Sequence, residues 1–473
     1  MWLSRFESWP GSSDLLAAVI LAAGQGTRMR SHRQKVLHPL AGKPLILRIL
    51  QLVHDAGAAH VVVVLGHQAE QVRRSLPSSV HTVIQMPQLG TGHAVQVAAQ
   101  PVRASGADQL LVHLGDNALV RPATLERLTG TPIGAELPLV LLTARLADPT
   151  GYGRVIRGAD GNVDAMVEEV DATHEQRATR EVWGGSMLLW TPWLWENLSR
   201  LPLRPKGEYY LTDLVNLARQ QGLHVGAQLT QDEEEAHGVN DRLQLAEAEA
   251  VLRRRTLENL MRSGVSVIDP ATTYVDPEVQ IEPDVTIMPG CHLRGATRVA
   301  RECEIGPNTY LIDTQVGAGS RVWYSVLENA VVGERASIGP FSHLRPGAVI
   351  GDAVELGNFA EVKASHIGDG SKMHHFSYVG DAELGERVNV GAGSITVNYN
   401  SETGRKSRTI VGDDASLGSD TLLVAPVEVG EGSVTAAGAV VTHDIPPGEV
   451  WLGVPARMHR RRDRMRSEHG SGP

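Results

Sequence analysis

An α/β domain followed by a left-handed parallel β-helix is the fold that this 473-residue chain predicts. Two observations carry that reading. From Val332 through Ile338, Leu344, Ile350 and Leu356 to Val362, every sixth residue is aliphatic, and Gly directly follows four of these six. A period of six fits neither a 3.6-residue helix nor an alternating strand, but it is the mark of hexapeptide repeats. Upstream, strand-like runs at Ala18–Leu21, Val61–Leu65, Leu110–Leu114 and Leu139–Leu142 alternate with helical segments, as in a mainly parallel, Rossmann-like mixed sheet.

In the repeat region each hexad makes one flat face and one corner of a prism. About 18 residues then complete a coil stacked ~4.8 Å on the next, with the aliphatic residue inside and Gly easing the corner. The beat returns at Leu384 and Val390, and again at Val411, Leu417, Leu423 and Val429. Between them the polar stretch Asn398–Arg408 must loop out. Such a prism has no internal pocket, so its chemistry belongs on its flanks or between subunits.

In order, the chain reads as an N-terminal extension (1–14), an α/β domain (15–240), a linker helix (241–262), the β-helix (263–455) and a tail (456–473). The linker DRLQLAEAEAVLRRRTLENLM is charged and helical. Asn240 or Asp241 can cap its start and Gly264 its end, and it would extend roughly 30 Å. The tail, with Arg460, Arg461, Arg462, Asp463 and Arg464, reads as a solvated surface helix.

Composition sets limits on function. The abundance of Gly (49) beside only 4 Phe suits a turn-rich coil packed with aliphatic residues. A formal charge of −10 argues against a general nucleic-acid or anionic-membrane binder. Cys291 and Cys303 form neither a zinc signature nor a disulfide framework, so a reducing cytoplasm is expected. The apolar run Leu15–Ala23 is too short to span a bilayer and ends in glycines, so no membrane insertion or export is expected.

The chemistry begins after the first strand. In Leu21-Ala22-Ala23-Gly24-Gln25-Gly26-Thr27-Arg28 the glycines let backbone N–H groups approach a phosphate, and Arg28 can neutralise it. A dinucleotide loop would want a third Gly where Met29 stands, and a P-loop would want Gly-Lys-Ser/Thr. Alone, this turn is weak. Lys35-Val-Leu-His-Pro-Leu-Ala-Gly42-Lys-Pro44 makes it specific, because the string resembles the signature of sugar-1-phosphate nucleotidylyltransferases. Gln85-Met-Pro-Gln-Leu-Gly90-Thr91-Gly92-His93-Ala94, Gly115-Asp116, Pro149–Arg154, Val167-Glu168, Gly207–Asp213 and Gly238-Val-Asn240 follow in the same order. With the repeats, the chain from about Leu15 to Pro455 resembles the bacterial bifunctional N-acetylglucosamine-1-phosphate uridylyltransferases and glucosamine-1-phosphate acetyltransferases.

That resemblance implies UTP and acetyl-CoA as co-substrates, Mg²⁺, and a cytoplasmic homotrimer with acetyltransferase sites between prisms. It also implies roles. Asp116 and Asn240 match the metal ligands, a hard-oxygen pair suited to Mg²⁺. Arg28 and Lys35 would hold phosphates beside Leu21, Ala22, Ala23, Gly24 and Gly115. Gln85, Gly90 and Thr91 match uracil-reading positions, and Gly153 and Glu168 match sugar-binding ones. On the prism, His375 in Lys372-Met-His374-His375-Phe-Ser-Tyr378 matches the catalytic base, since a histidine poised near neutrality suits removal of an amine proton. His374 would face the other way if the segment is extended. Arg345 and Lys363 are suited to the acceptor's phosphate. Tyr378 and Asn389 would orient the sugar, and Glu361 could support the histidine or the amine. Asn398, Tyr399, Lys406, Ser419 and Ala437 match positions around acetyl-CoA.

The chain also departs from the family pattern. Trp183 stands where an asparagine that bonds the sugar is usual, and an indole can only donate. It could stack on a sugar or block the site. Gln34 replaces a proline before Lys35, an expected small loss of loop rigidity. Val170 replaces a lysine, and Gly453 replaces a basic residue for which Arg457 could substitute. Two alternatives therefore stay open: an acetyltransferase with an impaired or differently specific first domain, or a non-catalytic trimeric scaffold.

Overall fold

A computed structural model describes residues 16–461. The expected N-terminal extension, and Arg462, Asp463 and Arg464 of the basic run, lie outside the described residues. The chain forms two compact units that divide between Leu252 and Arg253.

The first unit is built on strands β1 (Leu16–Ala22), β2 (His60–Leu65), β3 (His81–Ile84), β4 (Gln109–Leu114), β5 (Leu139–Arg145), β6 (Arg154–Arg157), β7 (Val163–Val167), β8 (Glu181–Trp190) and β9 (Val225–Leu229). The sheet order is β9-β5-β8-β4-β1-β2-β3, with the β6–β7 hairpin hung on β8. All neighbours along the main path are parallel except β8, which runs antiparallel to both β4 and β5. The central strands are apolar on both faces because helices cover both. Ala18, Ile20, Val61 and Val63 meet Ile46, Ile49 and Val53 of α1 (Leu45–Asp55) on one side. On the other, Val19, Val62 and Val112 meet Ala94, Val95 and Ala98 of α2 (Gly90–Ala104). The glycine loop, Gly115-Asp116 and the start of α2 thus gather at the carboxyl ends of parallel strands, where open α/β sheets bind ligands.

The linker forms helix α3 (Arg242–Arg262). Asp241 caps it by accepting the Gln244 amide at 2.9 Å, and Gly264, at φ +97°, follows its end. Leu245, Ala248 and Val251 pack on Leu40, Leu45 and Val239 of the first unit. Leu257 and Leu260 join the core of the second.

That second unit is a three-sided parallel β-helix. Its three sheets have 12, 10 and 9 strands, and apart from the last strand of the 12-stranded sheet each pairs in parallel with the one a coil later. Val332, Ile338, Leu344, Ile350, Leu356 and Val362 line the interior, none more than 2 % exposed. Residues 398–408 leave the prism as expected, with Tyr399–Asn400 pairing antiparallel to Arg405–Lys406. The tail corrects the sequence reading. Arg457–Arg461 is not a helix but an exposed strand, antiparallel to Glu449–Leu452 at the end of the 12-stranded sheet. The open edge of the last coil offers ladder hydrogen bonds that outweigh the weak helical propensity of so short a basic run.

Candidate active sites

In the first unit a cavity of about 930 Å³ opens above the strand ends. Leu21, Ala22, Ala23, Gly24, Arg28, Lys35, Gln85, Gly90, Thr91, Gly115, Asp116, Gly153, Glu168 and Asn240, the sequence-predicted set, all line it. Three glycines are there for close approach. A Cβ at Gly115 would sit 2.6 Å from the Leu21 carbonyl, one at Gly90 2.6 Å from that of Tyr209, and one at Gly26 2.6 Å from Lys35 Cβ.

At one end, the Lys35 ammonium lies 2.5 Å from Asp116 Oδ2 and donates to Asn240 Oδ1 at 3.2 Å, while Arg28 donates to the same oxygen at 3.0 Å. The Val239 amide bonds the Asp116 carbonyl at 2.9 Å and so ties the two loops together. A carboxylate and an amide oxygen that one cation already spans form a hard-oxygen pair that fits Mg²⁺. Among the described residues no group of three or more His, Cys, Asp or Glu is placed to hold a metal, so the pair depends on substrate oxygens or water to complete a shell.

The motif around Gly90 and the one around Tyr209 are locked to each other. Gly92 N–H bonds the Tyr209 carbonyl at 2.8 Å, and the Thr91 hydroxyl accepts from the Leu211 amide at 2.9 Å. Gln85 donates to the Gly90 carbonyl at 2.8 Å. Elsewhere on the lining Glu168 accepts from Thr212 at 3.0 Å, and burial raises its carboxyl above the ordinary range. Trp183 forms part of this wall. Its indole N–H is already spent on the Ser186 carbonyl at 2.9 Å, across the bulge in β8, so it offers the cavity a ring and no donor. It lines the space rather than closing it.

Behind this floor His113 is wholly buried between the Ser186 hydroxyl and the Asn117 carbonyl, each 2.8 Å away. Burial lowers its pKa to about 4, so the ring is neutral near pH 7.

On the prism, the structure brings together Arg345, Lys363, Tyr378, Asn398 and Lys406. Arg345 pairs with Glu361 at 2.8 Å. Glu361 and Tyr378 are register partners on the 10-stranded face. Asn398 donates to Asp381 at 2.5 Å and lies 3.4 Å from the Tyr378 hydroxyl. Lys406, expected near the coenzyme, stands beside Lys363 and holds that ammonium below the usual lysine range.

His375 lies in the corner between Lys372–Met373 and Ser377–Gly380. The chain bends there, so the strand alternation expected to separate it from His374 does not apply; both are exposed. His374 is held by Glu355 at 2.8 Å, with Lys372 on the same carboxylate at 3.0 Å. The backbone bonds Gly393→Phe376, Asp420→Ala392 and Gly438→Ser419 stack successive coils at this corner. His375, Ala392, Ser419 and Ala437 each lie three residues past the register partners Lys372, Asn389, Ser416 and Val434, and so occupy equivalent positions along one edge. Asn389 lies on the adjoining 12-stranded face, in register with Lys372 and Ser416.

Residues 18–207 match the model of the MobA-like NTP transferase domain, and residues 329–364 that of the six-repeat bacterial transferase hexapeptide. Along nearly its whole length the chain is similar to curated proteins described as bifunctional protein GlmU. The one from Kineococcus radiotolerans is 47 % identical over 93 % of this chain and 89 % of its own. That from Exiguobacterium sp. is 44 % identical over 91 % and 95 %, and that from Pelobacter propionicus 43 % identical over 95 % and 98 %. The chain belongs to the GlmU family. It is a bifunctional transferase of UDP-N-acetylglucosamine synthesis, with a nucleotidyltransferase and a hexapeptide acetyltransferase on one polypeptide.

A few residues beyond the sequence-predicted set also stand beside these positions. Lys206, just ahead of the Gly207 motif, lines the cavity together with Val170, which stands where a lysine is usual. Ala392 falls on the His375 edge, and Asp381 touches Asn398. Asp381 had one readable signal, a corner position directly after Gly380, where it adopts φ +50°. No helix among the described residues is long and apolar enough to cross a membrane.

Proposed function

We propose that acetyl transfer runs at the His375 edge and uridylyl transfer in the cavity of the first unit, in that order. What supports the second assignment most is that Arg28, Lys35, Asp116 and Asn240 meet in one cluster on the wall of a single cavity that Glu168, Gly153 and Trp183 also line. A triphosphate needs its charge offset at one end, and a sugar phosphate needs alignment from the other. The N-acetylglucosamine 1-phosphate oxygen attacks the α-phosphorus of UTP in line; the new P–O bond forms as pyrophosphate leaves. Arg28 and Lys35 hold phosphate oxygens. Gln85, Gly90 and Thr91 face uracil, while Gly153 and Glu168 face the sugar. Asp116 and Asn240 would hold Mg²⁺, which offsets charge on the phosphates.

In the first reaction the 2-amino group of glucosamine 1-phosphate attacks the thioester carbonyl of acetyl-CoA. His375 takes the amine proton, the C–S bond breaks, and coenzyme A leaves as a thiolate that is then protonated. Arg345 and Lys363, joined by Lys406, form a cationic patch for the acceptor's phosphate, and Tyr378 and Asn389 orient its ring. Asn398, Tyr399, Ser419 and Ala437 flank the coenzyme. Flat prism faces suit a cytoplasmic homotrimer with these sites between neighbours. The product would feed peptidoglycan and lipopolysaccharide synthesis.

Assaying each half-reaction separately tests the assignment. His375→Ala should lower acetyl transfer by ~10²–10⁴-fold and leave uridylyl transfer intact; normal acetyl transfer in that variant would remove the base from His375. If the unmutated protein, given UTP, Mg²⁺ and N-acetylglucosamine 1-phosphate, forms no UDP-N-acetylglucosamine, the cavity reading is wrong. One observation favours a second reading, a first domain tuned to another hexose phosphate: Trp183 presents only its ring to the sugar end. Under that reading Trp183→Asn raises turnover of N-acetylglucosamine 1-phosphate.

A further inference from the structure

Gln34 lies outside the cavity lining, only 2 % exposed, yet its side chain ties the phosphate loop to the turn that carries Lys35. Its Nε2 donates to the Gly24 carbonyl at 2.9 Å, and its Oε1 accepts from the Val36 amide at 2.7 Å. Its backbone N–H donates to Gln71 Oε1 at 2.8 Å. The backbone there, φ −60° and ψ 141°, is one that a proline would accept. The restraint at this position is therefore made by hydrogen bonds and not by a ring.

We propose that Gln34 is a positioning residue for UTP, acting through the Gly24–Gln25 peptide. In a trans peptide the C=O and the following N–H point in opposite directions. Anchoring the Gly24 carbonyl on a buried amide turns the Gln25 N–H away from that amide and toward the side of the loop that lines the cavity. Neither the Gly24 nor the Gln25 N–H has a partner among the described residues. Gln88 takes the Ala23 carbonyl in the same manner, so two consecutive carbonyls of the loop are pinned by glutamine amides. Two successive free N–H groups beside Arg28 and Lys35 form a concave donor set for a phosphate oxygen. The same side chain caps the 3₁₀ turn Lys35–Leu37, so one amide fixes both the backbone donors and the root of the lysine. The sequence reading expected a loss of rigidity here; the structure supplies it by another route.

This inference rests on the cavity being the UTP site. The test compares Gln34→Leu, which removes both side-chain bonds, with Gln34→Glu, which keeps the acceptor for Val36 but cannot donate to Gly24. UTP binding in the presence of Mg²⁺ is measured by calorimetry on the full-length protein, beside KM for each substrate of both reactions. A lost charge-assisted hydrogen bond corresponds to a ~10–150-fold effect. Both variants should weaken UTP binding by at least about tenfold, leave KM for N-acetylglucosamine 1-phosphate within about twofold, and leave acetyl transfer unchanged. A Gln34→Glu protein that binds UTP like the unmutated one would overturn the proposal, since capping of the turn would then be the whole role. So would a loss shared equally by both reactions, which would mark general destabilisation. Because binding is read directly, the comparison decides this point even if the unmutated protein binds UTP without making UDP-N-acetylglucosamine.

Discussion

Lowering the pH should destabilise the first unit, with His113 the group most strongly shifted toward that outcome. Its ring is fully buried, and desolvation of the imidazolium outweighs the Asn117 carbonyl and the Asp116 charge that favour it. The folded-state pKa is therefore about 4, against an ordinary 6.5. A group whose pKa is depressed on folding binds its proton more readily in the unfolded chain. Stability is thus complete above the unfolded pKa and is lost as pH falls through the window down to the folded one. The gap corresponds to ~3 kcal/mol once both values are passed, and to roughly 2 kcal/mol already at pH 5. Urea unfolding followed by tryptophan fluorescence reads this unit preferentially, since Trp183, Trp190, Trp193 and Trp195 lie in it and only Trp323 and Trp451 among the described residues lie in the other. Between pH 7 and pH 5 the unmutated protein should lose ~2 kcal/mol more than His113→Gln. Comparing the two pH values cancels any fixed cost of the substitution. Equal losses in both proteins would place the acid sensitivity elsewhere and refute the linkage. Uridylyl transfer should fall in the same window, because His113 holds the carbonyl of Asn117, next to Asp116.

Three further perturbations separate the two units. Lys35→Ala removes the cation that reaches both Asp116 and Asn240; uridylyl kcat/KM should fall ~10–150-fold, with acetyl transfer unchanged. Glu168 carries a raised carboxyl pKa from burial, so it takes up its proton at a higher pH than an exposed glutamate. If the ionised form binds the sugar, KM for N-acetylglucosamine 1-phosphate rises in acid with a midpoint above 4.5, and Glu168→Gln removes that limb of the profile. Leu344→Ala empties a fully buried site in the prism, next to the coil that carries Arg345, and should cost ~2–5 kcal/mol. Calorimetry should register it in the transition of the β-helix and not in that of the first unit.

The repeats were legible because a prism allows only one inward residue per hexad, and every member of the run from Val332 to Val362 obeys that rule. The cavity was legible for a different reason: each of its loops is a contiguous string in which glycines and polar residues have fixed neighbours. What sequence could not supply was anything that depends on a partner distant in the chain. Gln34 reads as a lost proline until Gly24 is seen 2.9 Å away. Glu361 gives no sign in the sequence of its ion pair with Arg345, sixteen residues earlier and one coil away. The Arg457–Arg461 segment reads as helical by composition and becomes a strand because Glu449–Leu452 offers it an edge. Alignment of His375 with Ala392, Ser419 and Ala437 was hidden because the 398–408 hairpin breaks the six-residue count between them.

The two sites also differ in how finished a single chain leaves them, and the reason is architectural. An open α/β sheet brings loops from several strands to one end, so Arg28, Lys35 and the Asp116–Asn240 pair line one space within one unit. Arg28 and Lys35 there already have oxygen partners. A prism cannot do this, because its side chains point either inward to the core or outward from convex faces. Its cations collect on one face and one edge, where Lys363 and Lys406 press against each other and Arg345 adds further positive charge. Glu361 and Asp381 are the acids closest to them, and both are already engaged, with Arg345 and Asn398. His375 stands at the opposite edge of that face, and Asn389 on the face beyond it. With Glu361 paired to Arg345 and Asp381 accepting from Asn398, Lys363 and Lys406 keep like charges side by side, an arrangement that an anion would relieve. Groups spread around a convex corner enclose no space of their own, in contrast to the loops that converge on the cavity of the first unit.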